Sequence, residues 1–138
     1  MHNPLKIIRA FLVRPGTELF GRVGERVWYP VAPSVAQWSN TDPAIIIHVV
    51  SQRTVGTVYS HETMFTEFQT KSYGGGLSHE AAYQTYGLLV QTLLASWNVF
   101  TDYGILQFTE LTNGYQQGTE PDTGYPVAYG TFEVLTTD

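Results

Sequence analysis

Residues 81–101, AAYQTYGLLVQTLLASWNVFT, carry no charged side chain, yet their apolar positions fall at helical spacing rather than in one continuous run. At 3.6 residues per turn, Ala82, Tyr86, Leu89, Val90, Leu93, Leu94 and Trp97 share one face, and Gln84, Leu88, Gln91, Thr92 and Ala95 share the other. The first face reads as core, and the pattern predicts a long helix over 78–98 with Ser78 as its cap. The opposite face of a solitary soluble domain ordinarily carries Lys and Glu. A face of Gln, Thr, Ala and Leu predicts that something covers it, and another copy of the same chain is the natural occupant. The plainer reading is a neutral solvated face. Gln, Thr, Ser, Asn and Gly within the stretch argue against a membrane span.

The 138 residues fit one domain, 1–138, with room for a real core. Hydrophobic residues make up 43% and aromatics 14%, which argues against disorder, while 14% charged is low beside the usual value of about 25%. With no cysteine there is no disulfide, thiolate nucleophile or cysteine-based zinc site. The first apolar stretch is broken by Lys6, Arg9 and Arg14 and has a helix pattern, so it does not read as a signal peptide, and a soluble protein is expected.

Charge is unevenly placed. Residues 1–26 hold five bases and two acids; the remainder holds two bases and ten acids, for a net charge of −5. From Asp102 onward there are six acids and no base. A basic head (Lys6, Arg9, Arg14) and an acidic tail (Glu110, Glu133) could meet head to tail between copies, or within one copy. The excess of acid argues against direct nucleic-acid binding, whose affinity comes from neutralising phosphates.

Asn3-Pro4 is a good helix start, and Leu5, Ile7, Ile8, Phe11 and Leu12 form one arc of a helix over 3–14, ended by Pro15-Gly16. Thr17 to Gly24 reads as a turn-like segment, Arg26 to Tyr29 as a strand closed by Pro30, and 31–43, with Pro33 and Trp38, as a long irregular loop. Ala44 to Val50 is rich in β-branched residues and predicts a central strand covered on both faces. Residues 51–60 suit a hairpin connection or projecting loop; His61 to Tyr73 follows as a strand, broken by Gly74-Gly75-Gly76. After the long helix come strands over Ile105 to Thr112 and Tyr125 to Thr136, joined by a loop over 113–124. The expected order is α-β-β-β-α-β-β: an α+β fold, a mostly antiparallel sheet of about five strands with two helices packed on one side.

Catalytic chemistry is thin. His2, His48, His61 and His79 have no metal-ligand spacing, and the positions that would complete a His-Glu-x-x-His motif hold Phe65 and Tyr83. His48, inside an apolar strand, reads as a hydrogen-bonded core residue. Glu110 and Glu133 could sit on adjacent strands, where paired carboxylates can do acid–base work on sugars, although a solvated strand face explains them more simply. The triple glycine lacks the Lys-Ser/Thr of a P-loop and reads as a joint. Trp38, Tyr115, Tyr125 and Tyr129 read as interface or core material. No catalytic residue, metal or cofactor is expected.

The opening helix ending at Pro15-Gly16, the segment Gly21-Arg22-Val23-Gly24-Glu25-Arg26-Val27-Trp28, the strand opening Asp42-Pro43-Ala44-Ile45-Ile46-Ile47, the strand from Phe65 to Tyr73, the helix from Ala81 to Leu94 and the late hairpin resemble, in order and length, the small tail-completion and tail-terminator proteins of tailed bacteriophages. The resemblance covers most of the chain. It implies a structural virion protein, assembled in the host cytoplasm, whose copies form a hexameric ring. That ring caps the tail tube, ends its polymerisation and joins the tail to the head connector. Its partners would be its own copies, the tail tube protein and the connector or neck protein. Lys6, Arg9, Arg14, Gln84, Leu88, Gln91, Glu110 and Glu133 are the candidate subunit-interface residues. The alternatives are a head-side neck or stopper protein, a small carbohydrate-active enzyme using Glu110 and Glu133, and a ligand-binding domain with a pocket between sheet and helix.

Overall fold

Asn3 caps the first helix, its side chain accepting from the Lys6 amide at 3.3 Å, and Pro4 takes the first helical position. The structure is a computed structural model that describes residues 3–58 and 61–138. Residues 1–2, with His2, and residues 59–60, the end of the expected connection 51–60, lie outside the described residues. Helix α1 (Pro4–Leu12) buries Leu5, Ile7, Ile8, Phe11 and Leu12. Helix α2 (Glu18–Val23) stands where a turn was expected. Thr17 caps it, accepting from the Phe20 amide at 3.0 Å, and Leu19 and Val23 bury its inner side. Then follow β1 (Val27–Trp28), β2 (Ala44–Val58), β3 (His61–Tyr73), α3 (His79–Leu94), β4 (Trp97–Thr101), β5 (Gly104–Thr119) and β6 (Pro126–Thr137).

The strands form one sheet in the order β1-β2-β3-β6-β5-β4. Only β1 and β2 run parallel; the other neighbours are antiparallel. The result is a curled, mixed, six-stranded half-barrel with three short helices, 47% strand and 23% helix. This corrects the expected five-stranded sheet with two helices in the order α-β-β-β-α-β-β. Three physical causes account for the difference. A six-residue helix fits between Thr17 and Gly24 because its two ends are capped. The uncharged run does not stay helical past Leu94: Ser96 Oγ bonds back to Leu93 O at 2.6 Å, Asn98 takes a positive φ of 49°, and Trp97 to Thr101 pair with β5. The helix expected over 78–98 therefore ends four residues early, and Leu94 and Trp97, placed on its core face by the wheel, are exposed. Finally, the strands are longer than their apolar parts. β2 continues to Val58 through a polar stretch, and β5 continues to Thr119 through most of the expected loop 113–124. Residues 31–43 carry no helix or strand, as expected.

Two apolar clusters lie on opposite faces of the sheet. On the helix side, Ile45, Ile47, Phe68, Phe132 and Val134 meet Ile7, Ile8, Leu12, Leu19, Leu89 and Leu93. On the other side, Ala44, Ile46, Tyr73 and Val127 are covered by Trp38 from the irregular loop. The start of β2 is thus covered on both faces, and Trp38 is anchored by its indole N–H donating to Asp42 O at 3.0 Å. His48, one step beyond this cover, is half-buried rather than a core residue. Gly74 lets α3 start directly against the end of β3, because a Cβ there would collide with the main chain of Ala81 and Ala82.

Candidate interaction surfaces

Three of the five bases in residues 1–26, Arg9, Arg22 and Arg26, are bonded within the molecule. Arg9 Nε donates to Val27 O at 2.6 Å and its Nη2 to Glu25 O at 3.0 Å, tying α1 to the approach of β1. Arg22 donates to Thr85 Oγ1 at 2.7 Å and Ala81 O at 2.9 Å, tying α2 to α3. Arg26 bonds Pro43 O and Arg22 O. Arg9, expected on a subunit surface, is therefore an internal clasp. Lys6 on α1 and Arg14 just past its end remain exposed, over the rings of Tyr103 (5.0 Å) and Phe11 (4.6 Å), with no ion pair among the described residues.

A groove of about 350 Å³ runs between α1, α3 and β4, lined in part by Phe11, Arg14, Leu88, Gln91 and Trp97. Three of the expected interface residues, Arg14, Leu88 and Gln91, thus meet at one place. Gln84 is also exposed on α3, outside this groove. Trp97 is 71% exposed and Phe100 77%; both lie on β4, which pairs only with β5.

Glu110 and Glu133 stand directly opposite each other on β5 and β6, and Glu67 of β3 stands opposite Glu133. Three carboxylates therefore form one row across the sheet, on the face away from the helices, continued by Ser51 of β2. Glu67 adjoins Phe68, which points to the helix side, and so faces the other way, but the register that aligns it with Glu133 has no local sequence signal. Beside the row, Arg53 lies 4.3 Å from the Phe65 ring, Phe65 packs edge-on against Phe108 at 6.2 Å, and Phe108 stacks on Trp97 at 6.5 Å. A shallow cleft of about 230 Å³ includes Arg53, Phe65, Glu67 and Glu133.

At the far end of the same face, Val31, Val35, Lys71, Glu120, Asp122 and Tyr125 are among the residues lining a cleft of about 290 Å³. Glu120 Oε2 accepts from Tyr73 OH at 2.8 Å and Lys71 Nζ at 3.1 Å, and Oε1 accepts from Thr123 at 2.8 Å. Burial works to raise the Glu120 pKa, but these hydrogen bonds and the Lys71 charge outweigh it and hold the carboxyl below its ordinary value. Tyr73 is pushed up, first by burial and then by Glu120. His48 is lowered, first by burial and then by Lys71. The cleft lies between sheet and loop, not between sheet and helix.

The curl of β5 brings Tyr115 over α3, 4.9 Å from the Tyr83 ring and 5.5 Å from Tyr86. His61 Nδ1 bonds the Asp138 carbonyl at 3.0 Å. Among the described residues no three His, Cys, Asp or Glu side chains are grouped to hold a metal, and no helix is long and apolar enough to cross a membrane. Compared with protein-family models and with curated proteins, the chain matches none of them.

Proposed function

We propose that this chain is a structural subunit of a tailed-phage particle, working as a hexameric ring that caps the tail tube, ends its polymerisation and joins the tail to the head connector. The observation that carries this reading is the uncharged edge strand β4, which holds Trp97 and Phe100 in water beside a groove of mixed polar and apolar lining; soluble proteins ordinarily cover such an edge. The segments that carry the resemblance occur in the fold as α1, α2 with β1, the start of β2, β3, α3 and the β5–β6 hairpin. In this reading the partners are further copies, the tail tube protein and the connector protein, and the protein resides in the virion after assembly in the host cytoplasm. A head-side neck or stopper subunit is the nearest alternative.

One observation favours a different class of reading. The direct opposition of Glu110 and Glu133 puts two carboxylates on neighbouring strands, the residue pair on which a carbohydrate-active reading rests. Electron microscopy of particles assembled with the gene disrupted separates these readings. Overlong tails unattached to filled heads are expected. Tails of normal length beside separate heads would move the protein to the head side, and intact virions would favour the enzyme.

A further inference from the structure

The two free edges of the sheet are treated differently. At one, β1 is only two residues long and is followed by Pro30, which offers no N–H. At the other, β4 has no charge, no proline and two exposed aromatics. Diagonally across the molecule, beside the starts of β2 and β6, lies residues 30–36, Pro-Val-Ala-Pro-Ser-Val-Ala. This segment is uncharged, holds Val31 at 70% and Val35 at 77% exposure, and its N–H groups have no backbone partner among the described residues. An irregular segment with unpaired donors and apolar side chains complements an open strand edge with a groove behind it that sets Phe11, Leu88 and Val99 among polar side chains.

Charge agrees with this pairing. Arg14, just past the end of α1, lines the groove and Lys6 lies on α1 itself; Glu18 is the acid among the groove's lining residues. Asp122 shares the cleft with Val31 and Val35, where Lys71 is already neutralised by Glu120. A two-fold pairing of β4 with β4 would instead bring the Lys6 and Arg14 side chains of both copies together.

We infer that the β4 edge and its groove receive residues 30–36 of a second copy of this chain, with Arg14 facing the second copy's Asp122. The two surfaces occupy opposite corners of one molecule, so the contact is heterologous, each copy giving one surface and receiving the other. This rests on the proposed ring and names the surfaces that close it.

The test uses two full-length variants, Trp97→Glu and Val35→Asp, followed by sedimentation velocity at a concentration where the unaltered chain is assembled. Both sites are exposed, so thermal melting is expected to be unchanged and serves as the folding control. Each variant alone should sediment as a monomer, and an equal mixture should form dimers and nothing larger, because one variant keeps an intact edge and the other an intact segment. In a second comparison, Arg14→Glu should weaken association about tenfold and Asp122→Lys in the same chain should restore it. If both variants assemble like the unaltered chain, the surfaces are wrong while the ring stands. If mixing gives no dimer, a different partner sits on β4 and the inference fails. An unaltered chain that is monomeric at every concentration removes both the inference and the ring.

Discussion

The Tyr73 hydroxyl and the Lys71 ammonium converge on one oxygen, Glu120 Oε2, at 2.8 Å and 3.1 Å. This joins the end of β3 to the β5–β6 turn beneath the irregular loop. A carboxylate held below its ordinary pKa of 4.5 stabilises the fold above that pH and loses its contribution as pH falls through the depressed value. A tyrosine held above its ordinary 10.0 contributes below pH 10 and loses that contribution as pH rises further. His48, held below its ordinary 6.5, adds a decline that begins as pH falls past that value. Urea midpoints should therefore be level between about 6.5 and 10 and fall on both sides. Glu120→Gln should cost about 1–3 kcal/mol at neutral pH and flatten the acid limb below 4.5. An unchanged acid limb would show that other carboxylates set it.

The arginine clasps separate structural from surface bases. Arg22→Met leaves the fully buried Thr85 hydroxyl and the Ala81 carbonyl without their charged donor. A loss of about 1.5–3 kcal/mol is expected, against less than about 0.5 kcal/mol for Arg14→Ala. Chemical denaturation of the two variants side by side measures the difference, and equal losses would contradict the division of roles.

Two glycines are fixed by close approach. A methyl at Gly130 would stand 2.5 Å from Tyr86 Cε1, a ring that can shift, so Gly130→Ala should cost about 1–3 kcal/mol. At Gly74 the obstacle is the main chain at the start of α3, and Gly74→Ala should cost more. Thermal melts in the reverse order would mean that α3 yields more readily than Tyr86.

Glu133 stands between Glu67 and Glu110, so Glu133→Gln should raise stability by about 0.2–1 kcal/mol at low salt, with the gain fading as salt screens the row. A loss instead of a gain would mean that the row's charges are compensated. Under the enzyme reading the same variant abolishes turnover, which an activity screen against polysaccharides would register.

Local chemistry was readable where side chains act on their own segment. The Asn3 cap, the Ser78 cap, the Pro15-Gly16 stop and the β-branched apolar run from Ala44 to Val50 all predict what forms there. Strand lengths were not readable, because residues 51–57 and 110–117 are exposed and keep no apolar alternation. Their pairing is a backbone property set by the neighbouring strand. β4 was hidden because Trp97 continues the helical spacing of Leu89 and Leu93, and the break lies in the conformation at Asn98. Of the expected interface residues on α3, Gln91 is exposed while Leu88 is partly buried against the core. The fate of Arg9 depends on carbonyls sixteen and eighteen residues away, which no pattern reveals.

At roughly 3.3 Å per residue, the fifteen residues of β2 extend about 50 Å, whereas the sixteen of α3 rise only about 24 Å. The outer half of the β2–β3 pair is therefore sheet without helical cover on β2, held on its other side by β6 as far as Thr63. Its inner end is clamped between two apolar clusters. A neighbour gripping the outer half would pull on Ile45 and Ile47 through a ladder with two register shifts, so a touch far from the body becomes a load on its core.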